Sequence, residues 1–88
     1  MNIQEFLNKK EETFWETREE DLKELAERYD NIYTNEFSQI EREWKKDFYE
    51  WVTMDPDYES FSDEEKDEIK EELHMKELYV IDKVTALL

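Results

Sequence analysis

Glycine and cysteine are both missing from the 88-residue chain, and Pro56 is its only proline. Without glycine, every backbone position pays a steric penalty for positive φ, so tight hairpins and left-handed helix caps are disfavoured. Glycine-rich phosphate-binding loops are excluded for the same reason. Without cysteine there is no disulfide, no thiolate metal site and no cysteine nucleophile. Positive charge is scarce as well: 12 Lys and Arg stand against 27 Asp and Glu, a net −15 at pH 7. That balance repels nucleic acid and anionic lipid, so neither is expected as a direct partner. No apolar run approaches the roughly 20 residues of a membrane span. The opening residues, MNIQEFLNKK, lack the apolar stretch of a signal peptide. The expectation is one cytoplasmic domain, 1–88.

Aromatic residues are plentiful: three Trp, five Tyr and five Phe make up 15% of the chain. Each ring brings about 150–250 Å² to a core or interface. Low mean hydropathy, −1.12, and high net charge favour disorder. The apolar residues are nevertheless periodic, which argues for a folded protein. Glu, Lys, Leu and Arg dominate the remainder, and all favour helix. The fold class expected is all-α.

Asn2 stands three residues before Glu5, the spacing of a capping box, so the first helix starts there. Thr17 and Glu20 repeat that spacing and either restart a helix after a kink or lie inside a continuous one. Leu22, Ala26, Tyr29, Tyr33, Phe37, Ile40, Trp44, Phe48 and Trp51 then recur at steps of three and four, a helical stripe. Across it lies YDNIYTN, residues 29–35, whose Asp, Asn and Thr favour turns. A break near residues 30–35 is preferred. A helix running through would make an elongated, dimeric protein. Pro56 ends the next helix by pushing Asp55 out of the helical region. Ser62 and Glu65 form a further capping box, and Asp63, Glu64 and Glu65 fill a first turn where the helix dipole favours acid. Ile69, Leu73, Val80, Val84 and Leu87 form the last stripe. The expected architecture is a compact bundle of three main helices near 2–30, 35–53 and 62–87, the first two being continuous in the alternative.

Residues 55–72, DPDYESFSDEEKDEIKEE, carry ten carboxylates and two lysines, a net −8. Helix-dipole stabilisation accounts for Asp63, Glu64 and Glu65 but not for Asp67, Glu68, Glu71 and Glu72. Asp67–Glu71 and Glu68–Glu72 are like-charge i,i+4 pairs, each costing about 0.2–0.5 kcal/mol. Glu12, Glu16, Glu20 and Glu24 form a second acidic ladder, one step per about 6 Å of helix. Some relief exists nearby, since Glu19–Lys23, Glu24–Arg28 and Glu41–Lys45 are ordered as favourable pairs. Charge placed where it opposes folding points to an interaction surface. Its candidate residues are Asp55, Asp57, Glu59, Asp63, Glu64, Asp67, Glu68, Glu71 and Glu72, with Glu12, Glu16, Glu20 and Glu24. Duplex DNA carries one charge per about 1.7 Å, and two ladders side by side approach that density better than one. By size, charge and aromatic content the chain resembles small DNA-mimic inhibitors of phages and mobile elements. The resemblance is compositional and assigns no residue.

Other chemistry lacks parts. Counted as a calcium loop from Asp55, the segment has Ser60 where glycine is required and Lys66 where a bidentate glutamate is required. Glu71 and His74 have the Glu-x-x-His spacing of di-iron bundles, but the chain holds a single histidine. Ser62 is taken up as a cap, and Ser38 and Ser60 have no neighbouring His and Asp. No cofactor or catalytic residue is expected. Phe37, Trp44, Phe48 and Trp51 are assigned to the core. Trp15, Tyr49 and Tyr58 lie off the stripe as candidate exposed anchors, while Phe61 is expected to pack on its own helix. The expected function is therefore a non-enzymatic inhibitor that blocks a basic, nucleic-acid-binding surface of a partner protein. The alternative is an assembly module that homodimerises or docks through its apolar C-terminal helix, with Leu78, Ile81 and Leu88 at the interface.

Overall fold

Asn2 caps the first helix as its spacing predicts: its side-chain oxygen accepts from the Glu5 N–H at 2.7 Å. The structure is a computed structural model that describes residues 2–88. Five α-helices follow: α1 (Ile3–Thr17), α2 (Glu19–Glu27), α3 (Thr34–Thr53), α4 (Asp63–Met75) and α5 (Val80–Thr85). Single 3₁₀ turns at Tyr29–Asn31 and Pro56–Ser60 join them, and no strand occurs among the described residues. The all-α expectation holds. The simple three-helix plan does not, because its first and third helices are each divided in two.

The first division falls at Arg18. Thr17 does not cap a new helix; its hydroxyl donates back to the Phe14 carbonyl at 2.7 Å, and α2 starts at Glu19 without a side-chain cap. The expected break in YDNIYTN is present. Tyr29–Asn31 form a 3₁₀ turn, Ile32 is extended and α3 begins at Thr34, so the continuous-helix alternative is ruled out. Asp55, extended before Pro56, accepts from the Asp57 N–H at 2.8 Å. The Ser62–Glu65 capping box is complete, with reciprocal bonds of 3.2 and 3.1 Å. The other division, which was not expected, spans Lys76–Tyr79. Leu78 turns into the core, 3% exposed, and Lys45 Nζ donates to the His74 carbonyl at 2.9 Å, satisfying an oxygen left open at the end of α4.

Helix α3, about 30 Å long, is the spine. Helix α1 runs antiparallel to it, with Phe14 edge-on to Phe48 at 5.3 Å and to Trp44 at 6.4 Å. Ion pairs fix both ends of this hairpin: Arg18–Asp47 at 3.0 Å and Lys10–Asp55 at 2.6 Å. Helix α4 packs on α1, helped by Phe61 against Phe6 at 5.1 Å. Helix α5 lies over α2 and α3 and buries Val80 and Val84 completely.

The stripe errs at two places: Tyr33, in the break, is 75% exposed, and at the end of α3 the buried row steps from Phe48 to the fully buried Val52, leaving Trp51 37% exposed. Trp51 stacks under the Lys10 ammonium at 4.0 Å. Tyr58 is buried, and Trp15 and Tyr49 are partly buried against the core, so none of the three is a free anchor; Phe61 is buried as expected, though against Phe6 of α1. Leu87, expected in the core, is exposed. The molecule measures 46 × 21 × 17 Å, with a radius of gyration of 14.5 Å. A compact chain of this length has about 12 Å, so the expected compact bundle is instead a short rod. Among the described residues no helix is long and apolar enough to cross a membrane.

Candidate protein-binding surface

The outer side of α4 is built by periodicity. Ile69 and Leu73 face the core. Asp63, Glu64, Asp67, Glu68 and Glu71 fall on the opposite side at helical spacing, and all are exposed. Among the described residues none has a cation within 4 Å, and Lys70 on the same helix pairs with none of them. Glu72 lies toward α1, in a crevice it shares with Gln4, Asn8, Glu11 and Lys76. Lys76 closes this seam through a 2.6 Å bond to Glu11. Glu12 and Glu16 follow round the exposed side of α1. Of the acids, Glu72 of α4 and Glu11 of α1 line this seam.

The α1–α2 ladder does not continue as one face. The break at Arg18 lies between Glu16 and Glu20, and α2 packs on α5 rather than α4. Glu24 lines a depression on the α3 side with Asp21 and Arg28. Glu20 and Glu24 are exposed, but they are not joined to the α4 surface. Of the favourable pairs expected from spacing, Glu19–Lys23 forms at 3.5 Å. Glu24–Arg28 and Glu41–Lys45 do not come within 4 Å, since Lys45 is drawn to the end of α4 and lies 3.9 Å from Glu77.

Two candidates are bound internally. Asp55 is held by Lys10, and their side chains are only 20% and 14% exposed. The hydrogen bond from Lys10 lowers the Asp55 pKa below its ordinary 3.8; partial burial opposes this, and the Asp57 N–H and nearby lysine charge assist it. Glu59 accepts from Lys66 at 3.0 Å, and that bond raises the Lys66 pKa. Lys66 thus occupies the place where a calcium loop would need its bidentate carboxylate. Asp57 remains exposed and unpaired.

A depressed carboxylate pKa contributes stability that is fully present above the unfolded value and is lost as pH falls through the folded one. Asp55→Asn should therefore cost about 2 kcal/mol at pH 7, the usual scale for a hydrogen bond to a charged group. The gap from the parent protein should narrow below about pH 5 and close in strong acid. Urea unfolding at several pH values measures it. A gap independent of pH would mean that Lys10 does not stabilise the ionised form.

The described chain brings together no group of three or more His, Cys, Asp or Glu that could hold a metal ion. His74 faces Tyr49, ring centroids 6.0 Å apart. Leu78, a candidate for self-association, is spent in the protein's own core, whereas Ile81 and Leu88 are exposed. One feature had no counterpart among the expected sites. Arg42, Lys45 and Lys46 gather on α3 beside the end of α4, over Tyr49, Leu73 and His74. Its only sequence signal is the i, i+3, i+4 spacing of three cations in an acidic chain. What distinguishes the molecule is thus an unneutralised acidic surface on a helical rod. It matches no protein-family model, no curated protein and no solved structure.

Proposed function

We propose that the protein is a non-enzymatic inhibitor that covers a basic, nucleic-acid-binding surface on a partner protein. Its outward carboxylates would stand where phosphates otherwise lie, the mode of action of a DNA mimic. One observation carries this. Of thirteen candidate carboxylates, all but Asp55 and Glu59 are exposed with no cation of the described residues within 4 Å, while six of the chain's 12 Lys and Arg are engaged elsewhere. Repulsion left unrelieved on a folded surface is relieved when a positive surface arrives. Helix α4, 13 residues or about 20 Å long, spans the rise of about six base pairs of duplex. The binding surface in this proposal is the outer side of α4, Asp63, Glu64, Asp67, Glu68 and Glu71, with Glu72 at its edge and Glu12 and Glu16 exposed on α1. Association is fast and strongly salt-dependent in this mechanism.

Replacing Asp67, Glu68, Glu71 and Glu72 with Lys should abolish capture of the partner at low salt and leave the helical circular dichroism unchanged, because all four side chains are exposed and unpaired. Excess duplex DNA or molar salt should displace the partner from the unmodified protein. Capture that survives both the substitution and the competitor would defeat the proposal. The exposed Tyr79, Ile81, Leu87 and Leu88 favour a second reading, in which the C-terminal end docks on another copy or a larger assembly. A dimer by light scattering that Ile81→Asp or Leu88→Asp dissolves, with partner binding indifferent to salt, would select it.

A further inference from the structure

The one concentration of positive charge in this acidic rod sits on a trough between α3 and α4. Arg42, Lys45 and Lys46 form its rim, and Tyr49, Leu73 and His74 form its floor. The trough has a volume of about 490 Å³, within the range of sites that hold small ligands or short peptides. Residues 42–50 of α3 run about 12 Å along it, enough for three or four residues of extended chain.

The three cations are not equivalent. Lys45 is committed: it donates to the His74 carbonyl at 2.9 Å and lies 3.9 Å from Glu77, which fastens α4 to α3. Arg42 and Lys46, one helical turn apart, are exposed and have no carboxylate within 4 Å, although the chain supplies 27 of them. Glu50 is the one acidic residue in the lining, at the far end from Arg42. Between the two free cations and the apolar floor lies room for a side chain flanked by negative charge.

The geometry points to this trough as a docking site for an acidic peptide segment of a partner, carrying one apolar or aromatic side chain between carboxylates. Arg42 and Lys46 receive the carboxylates, Arg42 being able to bind one in bidentate fashion. The central side chain packs against the outward edges of the adjoining Tyr49 and His74 rings, above the buried Leu73. The protein's net charge does not forbid this, because at physiological salt fields fade over about 8 Å and the local cations dominate. The site lies on different residues from the acidic surface proposed above and stands or falls separately. A partner engaged by both would present a basic surface beside an acidic strand.

The test uses the whole protein and a fluorescein-labelled Glu-Glu-Phe-Glu-Glu peptide, with its Gln-Gln-Phe-Gln-Gln counterpart as control, in physiological salt. Saturable anisotropy binding of the acidic peptide is expected, with amide shifts centred on Tyr49, Leu73 and His74. The double variant Arg42→Glu/Lys46→Glu should weaken it by about tenfold or more and keep its helical spectrum, since neither side chain has an internal partner. His74→Ala should weaken it less and leave the charge preference intact. Equal binding of the two peptides, equal binding by the double variant, or shifts centred away from the trough would each overturn the assignment. So would a dimer of the free protein that the double variant dissolves, for the trough would then be filled by another copy.

Discussion

Phe14→Ala should remove about 3–5 kcal/mol of stability, the usual cost of emptying a buried aromatic site. Phe14 is 1% exposed and lies edge-on to three other rings, those of Trp15, Trp44 and Phe48. The Arg18 guanidinium lies over its opposite side at 4.9 Å. Removing the ring therefore opens the α1–α3 seam and frees a cation that also pairs with Asp47. A domain of 88 residues has about 4–13 kcal/mol in total, so this one change consumes much of the reserve. The melting temperature should fall by about 15–30 °C, and near-ultraviolet circular dichroism should lose much of its amplitude. A fall of only a few degrees would mean that the aromatic cluster is not what joins α1 to the spine.

The second large effect is expected at the other end of the rod. Helix α5 has only six residues, far below the length at which an isolated helix persists in water. It exists because Val80 and Val84, one turn apart and both 0% exposed, fill the gap between α2 and α3. Val84→Asp puts a carboxylate into that apolar seam. No cation is placed to meet it: Lys83, the nearest in sequence, lies over the Trp15 ring at 5.3 Å. The penalty should exceed about 3 kcal/mol, from lost apolar burial and from an unpaired buried charge together. Either α5 leaves its seat and uncovers Leu22 and Leu25, or the carboxyl takes up a proton and its pKa climbs. In both cases thermal stability at neutral pH drops steeply and partly recovers in acid. Leu87→Asp, three residues on at an exposed position, should change stability by less than about 0.5 kcal/mol. Indistinguishable melting curves for the two variants would show that α5 is not packed as described.

The elements that local chemistry decides were legible from sequence. Ser62 and Glu65 need only each other and three residues of backbone to form their box. Asn2 needs only Glu5, and Pro56 acts on the residue before it. The turn at Tyr29–Asn31 was foreshadowed by four residues that compete for backbone hydrogen bonds. The division at Arg18 was one of the two alternatives that Thr17 and Glu20 left open; the one at Lys76–Tyr79 was not legible, because nothing local opposes helix there. Lys76, Glu77 and Leu78 are good helix formers, and the chain leaves the helix because Leu78 finds the core and Lys45, 29 residues back, takes the His74 carbonyl. Tertiary packing overrides propensity in such places.

The acidic surface followed a similar division. That Asp67, Glu68 and Glu71 stay in water follows from the cost of burying charge. That Asp55 does not stay free depends on Lys10, 45 residues away, which no spacing rule reaches. The trough on α3 was hidden for another reason. Its cations are ordinary surface residues in sequence, and only the turn of α4 toward α3 supplies a floor beneath them.

Helix α4 packs on α1 and α2 packs on α5, while α3 is reached chiefly through α1 and α5. Amide protons in α5 and the short α2 should therefore exchange sooner than those of α1, α4 and the middle of α3, as two cooperative blocks with separate opening energies. A partner clasped along α4 would raise protection in its own block first. The opposite end would stay free to breathe, and its exchange rates would report whether occupancy is felt along the whole length of the spine.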